Sequence, residues 1–224
     1  MSTTTAGYLE RVRFLVVEDN AFSRRVMKEI LKHLGATDIV FAHDGIAAWE
    51  SLKRDMPDIA LLDWEMGPAD GHRFLHRVRH DPHSPNPHLP VIMVTGYADR
   101  EHVFAARDAG VNEYVVKPLS VKTLLDRIQA VIERPRRFVR IGKYFGPDRR
   151  RLEKKFLGPD KRGLEELEKA ATAKIPATAE MGQDEINALF NPDDIPETPP
   201  ADSPKAAPKK KDDEPDLNAP DQKP

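Results

Sequence analysis

The chain has 224 residues, 35 Lys+Arg against 37 Asp+Glu, and no cysteine. Disulfides, thiol catalysis and Cys-ligated zinc are therefore excluded, and a reducing cytoplasm is permitted. The near-zero total hides three zones: residues 1–134 hold 17 cationic and 19 acidic side chains, residues 135–163 hold 11 and 3, and residues 164–224 hold 7 and 15. Ten of the 20 prolines lie at or after Pro176, so the last zone is a poor candidate for a packed core. The first residues lack the basic patch and apolar run of a secretory signal, and no apolar run approaches the ~20 residues a membrane span needs.

From residue 12 short apolar runs alternate with amphipathic stretches. Phe14–Val17 reads as a strand buried on both faces, and Ala21–Leu34 as a helix closed by Gly35. Ile39–Phe41 is a second strand, Gly45–Arg54 a helix ending before Pro57, and Ile59–Leu62 a third strand. A helix over about Gly71–Arg79 follows, then a Pro-rich connection over His80–Leu89 and a strand over Pro90–Thr95. Asp99–Ala109 is a helix capped by Gly110, Glu113–Val116 a fifth strand, and Ser120–Glu133 a last helix with Ser120 as N-cap. Five strands alternating with five helices predict a flavodoxin-like, doubly wound α/β fold with parallel strand order 2-1-3-4-5. In such a sheet, ligands bind at the carboxyl ends of the strands.

Those ends carry Glu18-Asp19, Asp63, Thr95 and Lys117-Pro118. Three carboxylates offer the hard oxygen ligands that suit Mg²⁺, and a facing lysine and hydroxyl can stabilise a transferring phosphoryl group. Each residue alone reads more often as a cap, a solvated loop residue or a turn than as a site; their order along the strand ends gives the signal. Val16-Val-Glu-Asp-Asn20, Asp63-Trp-Glu-Met-Gly-Pro-Ala-Asp-Gly71, Val94-Thr-Gly96 and Val116-Lys-Pro118 resemble the four signature segments of response-regulator receiver domains.

The resemblance implies a role for each matching position. Asp63 would attack a phospho-histidine of a sensor histidine kinase and become an acyl phosphate. Asp19 would ligate Mg²⁺ directly, Glu18 through water, and Glu65 through its backbone carbonyl. Thr95 and Lys117 would contact the phosphoryl group, Pro118 would follow a cis peptide bond, and Tyr114 would be the aromatic that swings inward on activation. Two features depart from the family pattern. Gly67 separates Met66 from Pro68, and Glu65 and Tyr97 occupy positions that tune the lifetime of the phosphorylated state.

His72, His76 and His80 recur at helical spacing, with His83 and His88 close by; this reads either as a solvated polar face or as zinc ligands.

By this division residues 1–10 are a flexible N-terminus, 11–134 the receiver, 135–163 a basic arm, and 164–224 an acidic, mostly disordered tail. The arm holds a near-repeat, Tyr144-Phe-Gly-Pro-Asp-Arg-Arg-Arg151 and Lys155-Phe-Leu-Gly-Pro-Asp-Lys-Arg-Gly163, in which each Gly-Pro-Asp is expected to turn the chain. It is either a basic linker or an anion-binding arm in which Arg136, Arg140, Arg149, Arg150 and Arg151 grip phosphate, for example of cyclic-di-GMP. Nothing after residue 134 has the pattern of a DNA-binding helix-turn-helix.

A short helix over 182–190 would put Ile186, Leu189 and Phe190 on one face. Met181–Asn191 is similar to the N-terminal peptide of the flagellar motor switch protein, which binds a phosphorylated chemotaxis receiver. Such a helix would dock in a receiver groove, including its own, on the face around Tyr114.

The expected function is a cytoplasmic two-component response regulator, not a turnover enzyme, acting through phosphorylation-controlled contacts with a downstream chemotaxis or flagellar protein. The alternatives are a cyclic-di-GMP-responsive regulator, or a phosphorelay intermediate exchanging its phosphoryl group with a histidine phosphotransferase.

Overall fold

The computed structural model describes residues 9–67, 71–149 and 178–190. The strands β1 (Arg13–Val17), β2 (Asp38–Ala42), β3 (Ile59–Leu62), β4 (Val91–Thr95) and β5 (Glu113–Val116) form one parallel sheet of order β2-β1-β3-β4-β5. This is the flavodoxin-like order expected from the alternation. β3 and β4 are buried along their whole length, which is why they read as unbroken apolar runs rather than alternating ones.

The crossover helices are α1 (Ala21–His33), α2 (Gly45–Asp55), α3 (Gly71–His80), α4 (Arg100–Ala109) and α5 (Val121–Glu133). Four of them start on a side-chain cap from Asn20, Asp44, Asp99 or Ser120, whose oxygen accepts otherwise unpaired N–H groups of the first turn. The sheet separates two apolar layers. Phe14, Val16, Met27, Leu61, Ile92 and Ile128 pack on one side, and Leu15, Trp49, Leu62, Phe74, Met93 and Tyr114 on the other. Among the described residues no helix is long and apolar enough to cross a membrane.

Among the described residues three further elements follow α5. Strands β6 (Phe138–Ile141) and β7 (Tyr144–Pro147) pair antiparallel through the two-residue turn Gly142-Lys143, where Gly142 takes φ +56°. The first Gly-Pro-Asp, expected to be a turn, instead lies along and just after β7, because pairing with β6 holds Gly146 and Pro147 extended. The second copy lies outside the described residues. The hairpin packs on the receiver: Phe145 is buried, and the hairpin backs onto Arg79, a guanidinium only 1 % exposed. Arg79 donates to the carbonyls of Gly110 and Pro87 and lies under the Phe138 ring. Burial pushes its pKa down to about 9, so it stays charged at neutral pH. The last described element is α6 (Gln183–Phe190), the short helix expected over 182–190.

Candidate phosphoryl and metal site

The backbone delivers the acids. Asp63 directly follows β3, and its N–H donates to the Val17 carbonyl at 2.9 Å, so the ends of β1 and β3 are locked side by side. Glu18 and Asp19 continue β1. Arg24 fastens that turn by donating to the carbonyls of Glu18 (2.7 Å) and Asp19 (2.6 Å). The Asn20 N–H donates to Glu18 Oε1, which holds the buried Glu18 side chain inward.

Glu18, Asp19 and Asp63 each offer a ligand oxygen, and these oxygens lie within 4.8 Å of one another. Asp19 is exposed, Asp63 is 9 % exposed and Glu18 is 1 % exposed. Oxygens alone, anionic, on one open side: this donor set fits Mg²⁺, a hard cation that keeps several waters. Among the described residues it is the one such cluster of three or more metal-ligating side chains.

Lys117 completes the constellation from β5. Its Nζ donates to Glu18 Oε2 at 2.7 Å and to Asp63 Oδ2 at 2.8 Å. Burial alone would lower the lysine pKa, but the hydrogen bonds and charges of Asp63 and Glu18 outweigh it and raise it. Burial raises the Glu18 pKa, and the Asp63 charge adds to this against the opposing pull of Lys117. The Lys117–Pro118 peptide is cis. Thr95 is 1 % exposed at the end of β4, and its hydroxyl faces the Tyr97 N–H at 3.4 Å. Glu65 is exposed on the loop after Asp63. Interaction with this carboxylate raises the pKa of the Tyr97 phenol. Tyr114 is 1 % exposed and its hydroxyl donates to the Tyr97 carbonyl at 2.8 Å.

The other candidate residues sit elsewhere. Arg136 donates to the Asn112 carbonyl, Arg140 lies over Phe145, and Arg149 pairs with Asp108 at 2.7 Å while covering the Tyr144 ring. Arg136 and Arg149 are thus spent in fastening the hairpin to the receiver. Arg150 and Arg151 lie outside the described residues. His76 and His80 stack at 4.5 Å, with His80 Nε2 against the Lys143 carbonyl; His72 lies beside Trp64, His83 beside Asp81, and His88 against Phe138 and Phe145. Ile186 and Phe190 are buried and Leu189 is packed beside them, all on the Tyr114 face. Sequence reasoning missed Gln183, whose side chain bonds the backbone of β5, and Arg79. Neither carries a local signal, since each partner is far along the chain.

Comparison with known proteins agrees with this geometry. The family model described as the response regulator receiver domain matches residues 14–129. The chemotaxis protein CheY-3 of Vibrio cholerae serotype O1 is 36 % identical over 125 residues, which span 56 % of this chain and 95 % of that protein. The chemotaxis protein CheY of Pseudomonas aeruginosa is 38 % identical over 123 residues, 55 % of this chain and 98 % of that one. A putative response regulator from Chloroflexus aurantiacus superposes with a TM-score of 0.51 at 26 % identity, covering 55 % of this chain and 98 % of that one. The protein belongs to the response regulator receiver domain family.

Proposed function

We propose that this response regulator takes a phosphoryl group on Asp63 from a phospho-histidine and signals in chemotaxis or motility through protein contacts that depend on that group. The donor would be a sensor histidine kinase or a histidine phosphotransferase. An Asp63 carboxylate oxygen attacks phosphorus, the P–N bond breaks, and its electron pair stays with the departing imidazole. Water later cleaves the acyl phosphate and restores the carboxylate, so the chemistry is done on the protein itself and not on an external metabolite.

The observation that carries this reading is the placement of Asp63 between two acids and a lysine: a carboxylate paired with Lys117 at 2.8 Å and grouped with Glu18 and Asp19. Mg²⁺ held by Asp19, Asp63 and, through water, Glu18 would neutralise the repulsion between carboxylate and phosphoryl oxygens. Lys117 is already aimed at the oxygen that would carry the group and would shift onto the phosphoryl oxygens. The Thr95 hydroxyl, at the end of the neighbouring strand β4, would donate to the same group. Likeness to two chemotaxis proteins over nearly their whole length supports chemotaxis as the output.

Incubating the full chain with acetyl phosphate and Mg²⁺ tests the acceptor. The wild type should gain one phosphoryl group by mass spectrometry, chelation should prevent it, and Asp63→Asn should abolish it. Stoichiometric labelling of Asp63→Asn would remove Asp63 from this role.

A further inference from the structure

Strand β5 ends the five-stranded sheet, so among the described residues its outer edge has no strand partner. An open edge presents N–H and C=O groups that other segments can pair with. On this edge the Gln183 side-chain amide takes the place of a strand. Its Nε2 donates to the Tyr114 carbonyl at 2.9 Å, and its Oε1 accepts from the Val116 N–H at 2.9 Å. A primary amide carries the same donor and acceptor as a peptide group, so one side chain reproduces one rung of a ladder.

The residues around Gln183 enlarge the contact. The Met181 N–H donates to the Ala98 carbonyl at 2.8 Å, the Arg100 N–H donates to the Ala179 carbonyl at 3.2 Å, and Glu180 bridges Asp99 antiparallel. Ile186 and Phe190 are 0 % exposed, and the Phe190 ring stacks on Tyr114 at 5.9 Å and 20°. Gln183, Ile186 and Phe190 are spaced i, i+3, i+7, the spacing of a helix laid into a groove. Asp184 and Glu185 stay exposed in the first turn, where the helix dipole favours acids.

Eight residues are too few to hold a helix in water, so α6 is ordered by its groove. Sequestering Phe190 and Ile186 in this groove also buries Tyr114, whose hydroxyl bonds Tyr97. The Tyr97 N–H in turn faces Thr95 Oγ1 at 3.4 Å. The floor of the groove is therefore linked through Tyr97 to Thr95, at the end of the strand paired with the one that Asp63 follows.

We propose that α6 is a resident ligand of this groove: it occupies the docking surface for a partner protein's amphipathic helix, and its hold is coupled to the occupancy of Asp63. The partner helix would bring an amide for the β5 edge and apolar side chains three and seven residues later. It must outcompete a segment of the same chain, whose docking is intramolecular and therefore independent of protein concentration. A group on Asp63 that favours the buried Tyr114 rotamer tightens any helix that packs on that ring, and by reciprocity the helix tightens the group. The coupling rests on the proposed role of Asp63; the occupancy of the groove does not.

The test uses the full chain, with α6 dislodged by Ile186→Asp together with Phe190→Asp. Both positions lie in α6, so no residue of the receiver itself is altered. The probe is a labelled peptide of residues 178–190. The double variant should bind the peptide at least ten-fold more tightly than the wild type, with NMR shifts centred on Tyr114 and Val116. A Gln183→Ala peptide should bind about ten-fold more weakly than the unaltered one. Adding Mg²⁺ and beryllofluoride should tighten binding to the double variant several-fold. Equal binding by wild type and double variant, or no binding by either, overturns the resident ligand. Unchanged or weaker binding while Trp64 fluorescence reports beryllofluoride at the site overturns the coupling. A protein that takes up no beryllofluoride at all overturns the acceptor assignment and the coupling with it, while the groove is judged by peptide binding in plain buffer.

Discussion

Glu18 is held as a buried carboxylate between a lysine and a second acid, and the folded protein bears a cost for its charge. Burial, helped by Asp63, raises its pKa above the ordinary 4.5 despite Lys117. A raised folded-state pKa means that the native state binds the proton more readily than the unfolded chain. The stability tied to this group is therefore fully present below the ordinary glutamate pKa and lost as pH rises through the raised value. In Mg²⁺-free buffer Glu18→Gln should have a higher urea midpoint than the wild type at neutral pH, and the gap should close as pH falls towards 4.5. A gap that is constant from neutral pH down to that range would show that Glu18 does not titrate in this way. At this scale the sequence was informative wherever a residue acts by its position on the sheet. Asp19, Asp63 and Lys117 follow strand ends and Thr95 closes one, and a strand end is legible from the apolar run before it. Arg79 and Gln183 act through partners 31 and 69 residues away, at the Gly110 and Tyr114 carbonyls, so their roles had no signature in the local pattern.

The helices and strands carry the same lesson one level up. Four helix starts were legible because each cap is a local side-chain bond, whereas the Gly-Pro-Asp of β7 was misread because a tertiary pairing overrode a turn preference. The start of α3 is a further case of tertiary control. A Cβ on Gly71 would lie 1.9 Å from the Asp63 carbonyl oxygen and 3.1 Å from the Leu62 side chain, so this helix can approach the acceptor loop only with a glycine there. Gly71→Ala forces either α3 or the Asp63 backbone to move. It should cost about 1–3 kcal/mol of stability, the usual range for overpacking, and slow phosphorylation by acetyl phosphate. Gly96→Ala is the control at the neighbouring strand end, since its Cβ would meet nothing within 4 Å. Urea denaturation and a labelling time course on both variants check this; Gly71→Ala behaving like Gly96→Ala in both would show that the close approach is not required.

Over the whole molecule, the three charge zones of the sequence do not map onto the packing. The basic zone contributes the β6–β7 hairpin, and the acidic zone contributes α6; both pack against the receiver. They differ in what closure demands. The hairpin follows α5 after only Arg134–Arg137 and closes on its own antiparallel ladder through a two-residue turn. Helix α6 is separated from β7 by residues 148–182 in sequence, and bringing such distant segments together opposes docking more than closing the hairpin does. Much of what Ile186 and Phe190 contribute by burial is thereby offset, while the burial of Phe145 and the cover over Arg79 are offset less. A chain ending at residue 149 should therefore unfold in urea within about 1 kcal/mol of the full chain, followed by the fluorescence of Trp49 and Trp64. A chain ending at residue 134 should lose about 2–4 kcal/mol, because a phenylalanine is no longer buried and the face over Arg79 is opened. The smaller loss is what a segment built to leave its groove requires: it can be displaced without unfolding the receiver beneath it. If ending the chain at 149 costs as much as ending it at 134, α6 is a fixed part of the fold and cannot serve as an exchangeable ligand.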